Sequence, residues 1–335
     1  MTPRVVFPAY DLDRGYPEGF RLEDAAHFEK SRHAHIPAIS VLRLRRVSVI
    51  RMHLLQGLRI ALRYCRSRTA RPLNAREIAR TLIGRLTLPT RRVPEASWAL
   101  DQWSHGYFHW LLDAMPRILA LEVCMPHSPL LLPERYTSRT YVVESLRLLD
   151  VEMVTYSTRE RVAVDDLNVT TYPGGCDFNA PSLQRVGMWF RERDGASSTR
   201  GRRKVYISRK RAGRRRVLNE PALEDALRKR GFECLVFEDL SFTDQRNLMY
   251  GTSHLVSNHG AGLANMLFMP PESHVLELKS DSENINNCFF HLANALSHRY
   301  WYSINPGDTP DVQRADIAVD SHRLQYTLDA FLAGS

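Results

Sequence analysis

From residue 204 onward the chain alternates strand-like and helix-like stretches with few residues to spare, and this alternation restricts the fold more than any other feature. KVYIS (204–208) reads as a buried strand, and NEPALEDALRKRG (219–231) follows as a helix. Asn219 is its expected N-cap, Pro221 lies in the first turn, and Gly231 stops it. ECLVFE then reads as strand, SFTDQRNLMYG as helix, HLVSN as strand, GLANMLFM as a short helix, SHVLELK as strand, INNCFFHLANALSH as helix and YWYSI as the last strand. Strands separated by helices cannot close as hairpins, so they line up in parallel through right-handed crossovers. The expectation is an α/β, doubly wound, Rossmann-like unit.

A chain of 335 residues is long for one core, so two domains are expected. Hydrophobic residues make up 44% and charged ones 25%, which suits a globular fold. The polar stretch RERDGASSTRGRRK reads as a linker, giving an N-terminal domain over 1–190, a linker over 191–203 and a C-terminal domain over 204–335. The first domain reads as α/β too. VLRLRRVSVI, PLLLPE, VEMVTY and DDLNVTTY are strand-like, while SHGYFHWLLDAMPRILALEVC and SRTYVVESLRLLD are helix-like.

The net charge of +9 points to anionic partners. It is concentrated: RRKVYISRKRAGRRR (202–216) holds nine basic side chains and no acid. The five cysteines, Cys65, Cys124, Cys176, Cys234 and Cys288, are widely spaced with no CxxC, which fits unpaired thiols in a reducing cytoplasm and no zinc site. The N-terminus lacks the apolar core of a signal peptide, and no run approaches the ~18 apolar residues of a membrane span. A cytoplasmic location is expected.

Four places carry candidate chemistry. In HLVSNHGAGLANMLF, Gly260 and Gly262 fall where a strand hands over to a helix, so backbone N–H groups and the helix dipole could hold an anion there. An ordinary tight turn would also use glycine. The dinucleotide motif GxGxxG is incomplete, since Asn265 occupies the third glycine position. Arg209 and Lys210 follow the first strand of the alternating half, at the edge where open α/β sheets bind ligands, and a guanidinium there can clamp a diphosphate. Glu277 stands in VLELK, towards the end of the strand, where a carboxylate can accept from both ribose hydroxyls or simply face solvent. In HGYFHWLLDAMPRI, helical spacing stacks His109, Asp113 and Arg117 on one face, and Pro116 should kink the helix. That face is either a cleft with a base or an ordinary surface ion pair.

Together these stretches carry a resemblance. GYFHWLLDAMPRIL is similar to the motif N-Y-x-H-W-L-x-D/E-x-x-P-R-L of glycosyltransferase family 61, with Gly106 where the family often has asparagine. The stretch from SRK (208–210) through Asn219, Gln245 and HGAGL to Glu277 resembles the family's C-terminal signature, so the likeness runs from about residue 98 to 302. The resemblance implies a GT-B architecture, two Rossmann-like domains facing across a cleft, whose last helix can pack back on the N-terminal domain. It implies an inverting, metal-independent transferase that uses a nucleotide sugar, chiefly UDP-linked, and no cofactor. Asp11-Leu-Asp13, the only DxD-like pattern considered, lies outside the matched motifs.

On that resemblance the C-terminal domain holds the donor through Arg209, Lys210, Asn219, Gln245, Asn258, His259, Gly260, Ala261, Gly262, Leu263 and Glu277. Asp113 is the expected general base, His109 the runner-up, and Arg117 a support for Asp113. The acceptor would be a glycan or lipid-linked saccharide of bacterial capsular or other surface polysaccharide assembly. Two rival readings stand beside this one. The basic run allows a nucleic-acid-binding protein, although Tyr206 is its only aromatic residue and no recognition motif accompanies it, so no nucleic acid is expected as partner. An inactive family-like scaffold is the other. Residues 41–68 mix arginines with apolar side chains, as a peripheral contact with an anionic membrane or as core strand with a solvated face.

Overall fold

The computed structural model describes residues 2–67, 71–172, 175–196, 201–281 and 286–333. The chain forms two compact units, the first comprising Met1–Tyr10 and His35–Arg193, the second Asp11–Ala34 and Asp194–Ser335. Both are α/β.

Unit 1 is built on an eight-stranded mixed sheet. Its order is Arg59–Ile60, His53–Gln56, Ile39–Ile50, Arg161–Thr170, Thr90–Trp98, Leu130–Pro133 and Met153–Tyr156, with Arg4–Phe7 pairing antiparallel to Ile39–Ile50. Arg161–Thr170 is the pivot, antiparallel to Ile39–Ile50 and parallel to Thr90–Trp98, with Val169 opposite both Leu42 and Trp98. The carboxyl ends of the two parallel strands therefore lie side by side. Val41, Leu44, Val47, Val49 and Ile50 are buried whereas Arg45 and Arg46 are exposed, so the arginine-rich stretch 41–50 is a core strand with a solvated face.

The segment 107–124 is helical but not uniformly α. Tyr107–His109 is an α turn, Trp110–Ala114 a π turn and Met115–Cys124 α-helix, with Pro116 at the start of the last piece. Proline has no N–H to give the carbonyl four residues back, and an i→i+5 turn relieves that carbonyl without breaking the helix. Every residue from Trp110 to Leu121 is buried, so the expected division into polar and apolar faces does not hold here. Trp110 anchors the turn, its Nε1–H donating to Ser145 Oγ at 2.9 Å.

Unit 2 contains a five-stranded sheet in the order Glu233–Leu235, Arg203–Ile207, Thr252–Asn258, His274–Ser280 and Arg299–Asn305, every pairing parallel. Numbered along the chain this is 2-1-3-4-5, a doubly wound order as the alternation predicts. One core cluster joins Tyr206, Val256, Leu276 and Leu278 of the strands to Leu223 and Leu227. Leu324, Leu328 and Phe331 of the last helix, Ser321–Ala333, complete that cluster. Each such side chain gains roughly 1.5–3 kcal/mol from burial. The last helix thus belongs to the core of unit 2, and the expectation that it packs back on the N-terminal domain is corrected.

The expected boundaries change in two further places. Asp11–Ala34 belongs to unit 2, where Phe28 meets Phe290 at 5.5 Å and Tyr302 at 4.8 Å between ring centroids. Tyr302 also donates to Asp24 Oδ2 at 2.7 Å. The helix Ala180–Asp194 runs into the stretch expected to be linker, of which 197–200 lie outside the described residues. Cys176 and Cys288 are disulfide-bonded while Cys65, Cys124 and Cys234 are free, so the expectation of unpaired thiols fails for two of the five.

Candidate functional site

In unit 2 the strand order reverses between Arg203–Ile207 and Thr252–Asn258, and chains leaving such neighbouring strands turn apart and open a crevice at their carboxyl ends. Ser257 Oγ donates to Ile207 O at 3.0 Å and ties the two ends together. Arg209 leaves one strand and Gly260 the other, and they touch. A Cβ on Gly260 would lie 2.0 Å from Arg209 Nη1 and 2.6 Å from Cζ, and one on Gly262 would lie 3.1 Å from Ile207 Cγ2. Gly260 has φ of 173°, extended backbone open to any residue, so glycine serves close approach here and not an unusual conformation.

The Arg209 guanidinium is fixed by its own loop: Nε donates to Arg215 O at 3.0 Å and Nη2 to Arg214 O at 3.2 Å. Asn258 Nδ2 donates to the same Arg215 carbonyl at 2.7 Å. Burial pushes the pKa of Arg209 down and that of Arg215 to about 10, which leaves both charged at neutral pH. Gly260 caps the 3-10 helix Ala261–Phe268, whose first amides have no intrahelical acceptor. A cation thus lies beside the start of a helix.

His259 is 8% exposed, and its Nδ1 is hydrogen-bonded to Glu277 Oε1. Tyr300 Oη donates to Glu277 Oε2. Burial by itself would raise the Glu277 pKa, but Lys279, His259 and Tyr300 outweigh it and hold the carboxyl below its usual range. Lys279 is pinned by Asn287 Oδ1 at 2.7 Å and Asn286 O at 3.0 Å. Glu277 was expected at the strand edge, free for a ribose. It is wholly buried within His274–Ser280 with both oxygens engaged, because His259 and Tyr300 flank it; what it positions is His259.

Other expected donor residues are placed elsewhere. Asn219 makes no capping bond; its amide exchanges two hydrogen bonds with the backbone of Val319, at 2.7 and 2.9 Å. Gln245 Nε2 donates to Phe237 O and Leu240 O at 2.9 and 3.2 Å. Both side chains brace loops. Leu263 is fully buried in the core, Ala261 half-buried and Lys210 exposed.

In unit 1 His109 ends the α turn and Asp113 lies in the π turn that follows it. His109 Nδ1 is 2.6 Å from Asp113 Oδ2, with the His109 side chain 35% exposed and that of Asp113 only 3%. Asp113 has its pKa raised by burial, partly offset by His109. Trp103 stacks on the His109 ring at 5.9 Å. The pair has the form of an oriented imidazole: the carboxylate holds Nδ1 and leaves Nε2 as the exchanging atom.

Arg117 was expected to orient Asp113 directly, but its contacts are different. Wholly buried, it donates from Nε to Thr170 Oγ1 at 2.8 Å and from Nη2 to Tyr64 O at 2.9 Å, while Nη1 has no partner. It acts on Asp113 only through its charge.

Two residues escaped the sequence reading. Tyr172 Oη lies 3.4 Å from Asp113 Oδ2. Asp101, fully buried after the strand Thr90–Trp98, accepts from the Trp103 and Ser104 amides at 2.8 and 3.0 Å through Oδ1, and its Oδ2 has no partner. The D-x-x-S spacing in DQWS, a turn-capping pattern, was the available signal for Asp101. Among the described residues no group of three or more His, Cys, Asp or Glu is placed to hold a metal ion.

Comparison with known proteins shows what the chain is similar to. The chain is 36% identical over 99 residues to an EGF domain-specific O-linked N-acetylglucosamine transferase of Drosophila melanogaster, covering 29% of this chain and 18% of that protein. It is 30% identical over 105 residues to the protein of the same description from Mus musculus, covering 30% of this chain and 20% of the relative. The matched stretch spans only about a fifth of those relatives. The profile described as Glycosyltransferase 61 matches residues 107–276, half of the chain, and includes the His109–Asp113 pair and the Gly260 crevice. The chain belongs to glycosyltransferase family 61.

Proposed function

We propose that this protein transfers a sugar from a nucleotide-sugar donor to a hydroxyl of a saccharide acceptor, with inversion and without a metal ion. The observation that carries this reading is the Arg209 guanidinium laid on Gly260 beside the first amides of Ala261–Phe268 at the switch point of unit 2. A donor diphosphate fits such a crevice, because the charge that collects on the leaving phosphate as the anomeric C–O bond breaks would meet Arg209 and the N–H dipoles. His259, the residue before Gly260, is held by Glu277 and would offer the same ligand a donor.

In unit 1, His109 is the better candidate base and Asp113 its orienting carboxylate, reversing the order drawn from sequence, because the imidazole is accessible and the carboxylate is not. The acceptor O–H would give its proton to His109 Nε2 while its oxygen attacks the anomeric carbon and the nucleoside diphosphate departs. A single displacement inverts. The GT-B arrangement, the UDP-linked donor and a role in surface polysaccharide assembly belong to the same proposal. The relatives are named for N-acetylglucosamine transfer, so UDP-N-acetylglucosamine is the donor to try first. The disulfide-bonded Cys176 and Cys288 favour an oxidising compartment, against the cytoplasmic side expected from the sequence.

The basic run offers less to nucleic acid than its sequence suggests, since Arg203 pairs with Glu233, Arg211 with Asp239 and Arg216 with Asp316. That neutralisation favours the sugar-transfer reading.

Calorimetry with UDP tests the proposal. The wild-type protein should bind UDP, H109A should retain that binding yet lose roughly 100-fold or more in turnover, and chelators should change neither. Absence of binding to any nucleoside diphosphate would sink it, and turnover that chelators abolish would overturn the metal-free mechanism.

A further inference from the structure

Unit 1 contains a cavity of about 750 Å³, large enough for a sugar or two, that the motifs above do not use. Its walls include Arg63, Arg66, Ser67, Thr171 and Tyr172. Among the described residues no carboxylate lines it. Of the three arginines on its wall among the described residues, Arg71 is neutralised by Glu77 through contacts of 3.2 and 2.8 Å. Arg63 and Arg66 form no salt bridge among the described residues, although Glu77 also feels the charge of Arg66. They are nevertheless held in place: Arg63 lies 4.6 Å over the Tyr64 ring, and Arg66 Nη2 donates to Arg71 O at 2.5 Å. Two positioned guanidinium groups that form no salt bridge, on the rim of a concave site, attract an oxyanion. Leu42, Leu62, Leu73 and Pro72 supply apolar wall, against which a sugar ring or an alkyl chain can lie.

Position gives this cavity its meaning. Thr171 and Tyr172 follow the carboxyl end of Arg161–Thr170 and line the cavity, and the Tyr172 hydroxyl is 3.4 Å from Asp113 Oδ2. The Tyr64 carbonyl on another wall accepts from Arg117. Tyr172 thus links the cavity wall to the carboxylate that holds His109.

We propose that this cavity is the acceptor site and that it selects a saccharide bearing an oxyanion, a phosphate or a carboxylate, which Arg63 and Arg66 bind while a hydroxyl is presented to His109. This rests on the reading of His109 as base. The oxyanion has two sources, a sugar phosphate such as the head of a lipid-linked acceptor or the carboxylate of a uronic acid.

Calorimetry on the full chain with N-acetylglucosamine 1-phosphate, glucuronic acid and neutral N-acetylglucosamine separates them. At least one anionic sugar should bind more tightly than the neutral sugar, and the tighter of the two identifies the source. R63A/R66A, whose side chains are not buried in the core, should keep the wild-type melting temperature and lose that preference, weakening the anionic sugar about 10-fold. R209A should leave it unchanged, because its cation belongs to unit 2. Equal binding of all three sugars, unchanged affinity in R63A/R66A, or loss in R209A instead would overturn the proposal. UDP binding is read separately in the same samples, so failure of the donor site and failure of the acceptor pocket are distinguishable.

Discussion

At the scale of single residues, what matters most is how closely Arg209 approaches Gly260. A methyl group at position 260 would occupy the place of Nη1, so G260A should act by expelling the guanidinium and not by straining the backbone. Losing a charge-assisted contact to a diphosphate is worth about 1.5–3 kcal/mol, so G260A and R209A should each weaken UDP binding roughly 10- to 100-fold. In the double variant the two effects should not add, since both remove one interaction. G262A needs Ile207 Cγ2 to yield only a few tenths of an ångström, and its effect should be much smaller. Additive losses in the double-mutant calorimetry would show that Gly260 does something else. The glycines were legible in the sequence; their reason was not. A pattern of residue types marks a close approach or a positive φ equally well, and only the position of the Arg209 side chain decides between them. Glu277 failed in the same way, because a glutamate in VLELK reads identically whether its neighbours are water or His259 and Tyr300.

At the scale of elements, the legible part was the part with a period. The strand and helix alternation beyond residue 204 and the buried strand Ile39–Ile50 follow from apolar spacing that any packing of such segments must respect. Asp11–Ala34 has no such period, and it joins unit 2 through isolated aromatic contacts that spacing cannot announce. The π turn Trp110–Ala114 is intermediate: Pro116 signals trouble in the helix but not how it is resolved. If the turn exists to accommodate the missing N–H, restoring one should let the segment relax toward regular α-helix. Relaxation would rotate His109 relative to Met115–Cys124 and disturb the Nδ1 contact to Asp113. P116A should therefore keep or slightly raise the melting temperature while turnover falls about 10-fold or more and UDP affinity is unchanged. A variant that keeps full turnover would mean that the turn is set by the packing of Trp110 and not by proline.

At the scale of the whole molecule, the sequence announced two α/β halves but not how each is made dependent on pH. Unit 2 buries His298 against the loop that forms its anion crevice. Nε2–H donates to Met266 O at 3.0 Å, while Nδ1 is buried without a partner. A second proton would have to sit on that unsolvated nitrogen, and burial accordingly pushes the pKa from 6.5 to about 4. Between those two values the unfolded chain binds a proton that the folded chain refuses. Stability is thus fully present above pH 6.5 and is lost as the pH falls toward 4. At pH 5 the loss from this residue is about 2 kcal/mol, enough to lower the melting temperature by several degrees. His254, stacked on His274 at 4.9 Å and also pushed down to about 4, adds in the same direction. H298Q keeps a donor for Met266 O but cannot take up a proton. Melting curves at pH 7.5 and 5.0 should show a markedly smaller drop for H298Q than for the wild type. An equal drop in both proteins would place the acid sensitivity of the fold in its carboxylates and not in this histidine.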